Sequence, residues 1–128
     1  MKSTFAVTLG FLALATTPSL AASSFQYTCS NINFAYVNNQ AALQAVCLRA
    51  NGTANPSTLI LQGIGNNNGN LVQGSGASTF QQSCGNIRIL VDGGNVTLAA
   101  FCRTGSGGEN TTSLPLNNIS NQNGTLRQ

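Results

Sequence analysis

Histidine and tryptophan are absent from the 128 residues, and only 7 residues carry charge: Lys2, Arg49, Arg88, Arg103 and Arg127 against Asp92 and Glu109. Proton transfer near neutral pH relies on imidazole or on carboxyls tuned by their surroundings, so two acids leave general acid–base catalysis almost without agents. Metal sites built from His or carboxylate clusters fall for the same reason. Neutralising the phosphates of a nucleic acid takes a dense basic face, which the four arginines cannot form. The composition therefore predicts a protein that is not an enzyme, needs no cofactor or metal and does not bind nucleic acid. Neutral polarity stands where charge is missing: 17 Asn, 9 Gln, 12 Ser and 13 Thr make up 51 of the 128 residues. With 41% of its residues hydrophobic, the chain is nevertheless apolar enough to fold around a core.

Part of that apolar content belongs to the N-terminus. Lys2 precedes a short apolar run over residues 5–15, then Pro18 and the small-residue stretch Ser19-Leu20-Ala21-Ala22. This order describes a secretory signal peptide over residues 1–21, with cleavage after Ala21 or Ala22; the run is shorter than the roughly 20 residues a membrane span requires. No second long apolar run follows, so the mature product, residues 22–128, is expected to be secreted, extracellular and without a membrane span. Export places Cys29, Cys47, Cys84 and Cys102 in an oxidising compartment, where four cysteines allow three pairings that spacing alone does not separate. Five glycosylation sequons also occur, at Asn51, Asn95, Asn110, Asn118 and Asn123, as expected of a chain so rich in Asn, Ser and Thr.

An internal repeat chooses among the pairings. At an offset of 55 residues Phe25 falls on Phe80, Cys29 on Cys84, Asn31 on Asn86, Leu43 on Leu98 and Cys47 on Cys102, and residues 25–73 match 80–128 at 18 of 49 positions without a gap. Two copies are too few for a solenoid and should form one body with pseudo-two-fold symmetry, joined by a linker over residues 74–79. If each copy is the same unit, Cys29 pairs with Cys47 and Cys84 with Cys102. Within a copy the period is that of strands. Ile32, Phe34 and Tyr36 alternate with polar residues before Asn38-Asn39, and Ala41, Leu43, Ala45 and Cys47 share one parity after it. The second copy repeats the pattern around the turn at Asp92-Gly93-Gly94-Asn95. Leu59 and Leu61, with Leu114 and Leu116, mark a third strand, and Asn68-Gly69 and Asn123-Gly124 mark tight hairpins, since Asn-Gly readily supplies positive φ. The fold class is all-β, built from triple-stranded antiparallel sheets and β-hairpins. Asn31 and Asn86 read as structural residues.

The order Phe25-x-x-x-Cys29-x-Asn31, a second cysteine one hairpin away, Leu59-x-Leu61 and Asn68-Gly69-x-Leu71, repeated over residues 80–126, resembles the cyanovirin-N homology family of lectins. The resemblance covers residues 23–128. It implies disulfides within each repeat, and sheets from one copy completed by the terminal hairpin of the other. It also implies a sugar site near each end, with oligosaccharides or glycoproteins, notably those carrying high-mannose glycans, as partners. Carried over position by position, the site on the first copy uses Ser24, Tyr27, Thr28, Asn121, Gln122 and Asn123; two further family positions fall on the apolar Leu48 and Ala50. The site on the second copy uses Asn66, Ser78, Thr79, Gln82, Ser83, Arg103 and Thr104, all polar, and is the favoured one. Neutral amides suit such a ligand because one amide can meet two sugar hydroxyls with a donor and an acceptor, and Arg103 adds a fixed fork of donors. The rival expectation is a secreted structural or interaction protein on the same scaffold, with decayed sugar sites. A monomer is expected, with exchange of halves between two chains as the alternative assembly.

Overall fold

In the computed structural model, which describes residues 21–128, the alternating segments of both copies are strands. The expected signal peptide therefore lies, apart from Ala21, outside the described residues. After a single 3-10 turn at Phe25–Tyr27 the first copy runs through β1 (Cys29–Val37), β2 (Gln40–Leu48), β3 (Ala54–Ile60), β4 (Gln62–Asn67) and β5 (Asn70–Ala77). After an equivalent turn at Phe80–Gln82 the second copy runs through β6 (Cys84–Asp92), β7 (Asn95–Arg103), β8 (Glu109–Pro115), β9 (Ser120–Gln122) and β10 (Thr125–Arg127). Strands β1-β2-β3 and β6-β7-β8 form antiparallel sheets, and β4-β5 and β9-β10 form hairpins.

Turn chemistry sets these registers. Asn38 and Asn39 have φ of 50° and 65°, Asn68 and Gly69 have 50° and 91°, and Asn123 and Gly124 have 51° and 90°. Two successive left-handed residues match the twist of the flanking strands. Asn31 and Asn86, at φ 52° and 49°, occupy the irregularities in β1 and β6 where the ladder shifts register. Their carbonyls accept hydrogen bonds from Asn33 Nδ2 (2.8 Å) and Arg88 Nη1 (2.9 Å), so each backbone takes part in its bulge, while among the described residues their side chains make none of the backbone bonds the sequence suggested. Cys29 lies opposite Cys47 in the β1–β2 ladder, Cys84 opposite Cys102 in the β6–β7 ladder, and both pairs are disulfide-bonded.

Each three-stranded sheet is completed by the other copy's hairpin. β5 lies along β8, and β10 along β3. The seam uses the same bonds twice: Leu71 N–H donates to Thr112 Oγ1 (3.1 Å) and Leu126 N–H to Ser57 Oγ (2.9 Å), while Asn110 Nδ2 donates to the Gly69 carbonyl and Asn55 Nδ2 to that of Gly124, both at 2.8 Å. Between the halves lies one core, in which Phe25, Leu43, Cys47, Leu61 and Ile64 meet their counterparts Phe80, Leu98, Cys102, Leu116 and Ile119. These are positions at which the repeat is identical: each Phe, Leu and Ile contributes about 1.5–3 kcal/mol through burial, and each side chain must fit the space its counterpart leaves.

The stretch 74–79 differs from the linker the sequence indicated: residues 74–77 continue β5, with Ala77 paired to Gln62. Gly63, at φ 76°, absorbs the irregularity that brings the Gly74 backbone too close for any side chain at position 63. Ser23 and Ser78 are buried at equivalent places and tie the approach to each 3-10 turn. Each hydroxyl donates to a carbonyl, of Leu116 or Leu61, at 2.6 Å and accepts from the N–H of Ile119 or Ile64. Among the described residues no helix is long and apolar enough to cross a membrane.

Candidate functional site

The residues singled out on the second copy converge where the 3-10 turn Phe80–Gln82, the end of β7 and the β4–β5 hairpin meet. Asn66 is the joint. Its Nδ2 donates to Ser83 Oγ (2.8 Å) and to the Arg103 carbonyl (3.0 Å), and its Oδ1 accepts from the Gly69 N–H (2.7 Å). The Arg103 N–H in turn donates to the Ser83 carbonyl (3.0 Å). Asn68 closes the far side, its Oδ1 accepting from the Gly105 N–H at 2.8 Å. Ser83 Oγ accepts that hydrogen bond and keeps its own O–H as a further donor.

Around this joint Thr79, Gln82 and Arg103 are exposed and Thr104 is half-buried. Thr79 caps the 3-10 turn through its carbonyl, which accepts from Gln82 N–H at 3.0 Å, and makes no side-chain capping bond. Thr104 Oγ1 lies 3.1 Å from Ser106 Oγ and accepts from Gly108 N–H at 3.1 Å. Arg103 faces Glu109 across the β7–β8 ladder, so the cleft carries one charge of each sign at its edge. Ser78 is different: at 8% exposure, with its hydroxyl held by Leu61 and Ile64, it supports the cleft from below.

The first copy repeats the joint with Asn121, whose Nδ2 donates to Thr28 Oγ1 and to the Leu48 carbonyl (both 2.9 Å) and whose Oδ1 accepts from Gly124 N–H (2.7 Å). Asn123 Oδ1 accepts from the Ala50 N–H at 2.9 Å, and Gln122 Nε2 reaches Ser120 Oγ at 3.3 Å. Arg49, at the position of Thr104, is turned to Asn55 Oδ1 (2.7 Å), and much of the remaining rim is apolar. Leu48 is 49% exposed at the position of Arg103, Ala50 is exposed, and Tyr27, 69% exposed at the position of Gln82, has its hydroxyl beside Gly94 of the β6–β7 turn. Ser24 is exposed with its N–H on the Ile119 carbonyl (2.9 Å).

Asn55 and Asn110 were not among the site residues the sequence indicated, yet they pin the hairpins that form each cleft's wall; their identity at the repeat offset was the available signal. Asn110 is also a sequon residue, and because its Nδ2 donates to the Gly69 carbonyl and Asn70 Oδ1, a glycan there would displace the hairpin. Two larger concavities are not lined by the second copy's site residues, one of about 270 Å³ beside Ser23 and Gly94, next to Tyr27 of the first copy, and one of about 420 Å³ beside Leu114 and Gln128. A shallow cleft is compatible with sugar recognition, since bridging water can complete contacts that are not direct.

Residues 25–127 match the family model described as the CVNH domain. Comparison with curated proteins gives no match. Among solved structures, microvirin, determined with mannobiose, is 31% identical with a TM-score of 0.61, over 82% of this chain and 97% of that one. The CVNH protein of T. borchii is likewise 31% identical with a TM-score of 0.61, over 81% and 97%. That of Gibberella zeae is 28% identical with a TM-score of 0.59, over 80% and 94%.

Proposed function

The chain belongs to the cyanovirin-N homology family, and we propose that it is a secreted lectin recognising mannose-type, high-mannose glycans through the cleft of its second copy. The observation that carries this reading is the Asn66 joint, which holds the Ser83 hydroxyl and the Arg103 backbone together beside the exposed Gln82. A pyranose is a neutral ring of hydroxyls, each both donor and acceptor, and these groups answer it without a charge cluster. Microvirin's mannobiose complex supports mannose as the sugar class. Both disulfides suit an oxidising, extracellular setting.

In the first copy the same joint is framed by Leu48, Ala50 and Tyr27, which offer no donors in place of Arg103 and Gln82 apart from the Tyr27 hydroxyl beside Gly94. That end fits the alternative role, a structural or interaction surface on the same scaffold. Calorimetric titration with oligomannosides is therefore expected to give one site per chain that binds more tightly than millimolar. Gln82→Ala combined with Arg103→Ala should weaken binding at least tenfold, the loss of about two hydrogen bonds, one of them charge-assisted. No saturable heat up to millimolar ligand would remove the lectin reading, and undiminished affinity in the double variant would place the site elsewhere.

A further inference from the structure

The solvent face of the β1-β2-β3 sheet carries a cleft that belongs to neither family site. Asn33, Gln44 and Thr58 stand in one row across the three strands, and Val46 and Pro56 are paired in the row beside it. Together with Asn31 they line a cleft of about 210 Å³. Amides, Ser57 and the Thr58 hydroxyl line it beside an aliphatic floor of Val46 and Pro56, and no charged residue lines it. Asn33 Nδ2 is held by the Asn31 carbonyl at 2.8 Å, which fixes that amide, while Gln44 Nε2 and Thr58 Oγ1 approach only to 3.5 Å. Asn33 Oδ1, the Asn31 side chain and the Thr58 hydroxyl proton have no hydrogen-bond partner among the described residues.

The second copy has closed the equivalent place. Phe101 stands at the position of Val46, Ala99 at that of Gln44 and Arg88 at that of Asn33, and the Arg88 guanidinium lies 5.6 Å from the Phe101 ring centroid. An aromatic ring with a cation over it leaves neither the aliphatic floor nor the neutral wall. The two sheets share one backbone plan and differ here in their side chains alone.

We propose that the first-copy sheet face is a separate monosaccharide subsite, taking a neutral hexopyranose whose C–H face rests on Val46 and Pro56 and whose hydroxyls meet Asn31, Asn33, Gln44 and Thr58. Small-molecule sites pair apolar lining with a few placed polar groups, and a pyranose presents the complement of both. The absence of charge excludes phosphorylated or acidic ligands as the preferred class. A peptide would add along a strand edge, not lie across the sheet face. The subsite does not depend on the Arg103 cleft, so either can fail without the other.

The test is an NMR titration of the Gln82→Ala/Arg103→Ala protein with methyl α-mannoside, methyl β-glucoside and N-acetylglucosamine separately. Each is taken to roughly 20 mM, well above the ~1 mM dissociation constant of a weak single-sugar site. At least one sugar is expected to give saturable shifts at the side-chain amides of Asn33 and Gln44 and the backbone amides of Val46 and Thr58. Val46→Phe, which copies the second sheet, should weaken that binding at least about tenfold, and Gln44→Ala, which leaves the floor in place, about threefold. Shifts at these residues with none of the three sugars, or shifts unchanged in Val46→Phe, overturn the proposal.

Discussion

Alanine at both Cys29 and Cys47 is expected to lower the unfolding free energy by about 3 kcal/mol, because the bond closes a loop between residues 18 apart and its loss frees that loop in the unfolded chain. In a domain of roughly 100 residues this is a fall in Tm of about 12–24 °C, readable by scanning calorimetry. The Cys84→Ala/Cys102→Ala pair should behave alike, since its loop is the same length and its ladder position equivalent. Removing both bonds costs about 6 kcal/mol, a large share of the 5–15 kcal/mol typical of a whole domain. A shift of only a few degrees in either pair would mean that the core and the hairpin exchange hold the fold without covalent help.

Asn66→Ala is expected to cost about 2–3 kcal/mol, more than a typical surface substitution, because it orphans the Gly69 N–H inside a tight turn and leaves the Ser83 hydroxyl and Arg103 carbonyl without their donor. Gly69 is itself seated closely: a Cβ there would stand 2.8 Å from Thr104 Cγ2, so the turn cannot relax toward β7. Asn121→Ala should match it through Thr28, Leu48 and Gly124. The neighbouring Asn67→Ala, exposed at the end of β4, should stay within about 0.5 kcal/mol. Denaturant unfolding of the three variants gives the comparison. Equal effects at Asn66 and Asn67 would show that the joint carries no more stability than an exposed amide at the end of β4. Asn66→Ala should in addition weaken sugar binding at the second copy, while Asn121→Ala should leave it unchanged.

The repeat made much of this visible beforehand. Phe25, Leu43, Leu61, Ile64 and their partners at the 55-residue offset were identical because they share one core, and the Asn-Gly pairs announced their turns through backbone conformation, a local property. Local signals do not reach the seam. Asn66 and Asn121 look like strand polars before a turn, and nothing near them in sequence announces acceptors on Ser83, Arg103, Thr28 and Leu48, which lie 17 to 93 residues away. Ser78 illustrates the same gap: a serine beside small, polar residues reads as exposed, and only the packed structure shows its hydroxyl buried between Leu61 and Ile64. Residues 74–77 joined β5 because Gly63 and Gly74 allow a close backbone approach that composition alone reads as a linker. The sheet-face cleft followed no motif at all, being set by which side chains the bulged β1–β2 ladder and the regular β2–β3 ladder leave on their solvent side.

Chemical-shift mapping of the protein titrated with mannobiose bears most directly on where a mannoside binds. The largest saturable shifts should fall on Thr79, Gln82, Ser83, Arg103 and Thr104, with Thr28, Leu48 and Asn123 unmoved. Shifts centred on the first copy's joint, or none at either joint, would contradict the assignment of the second copy's cleft as the mannose site.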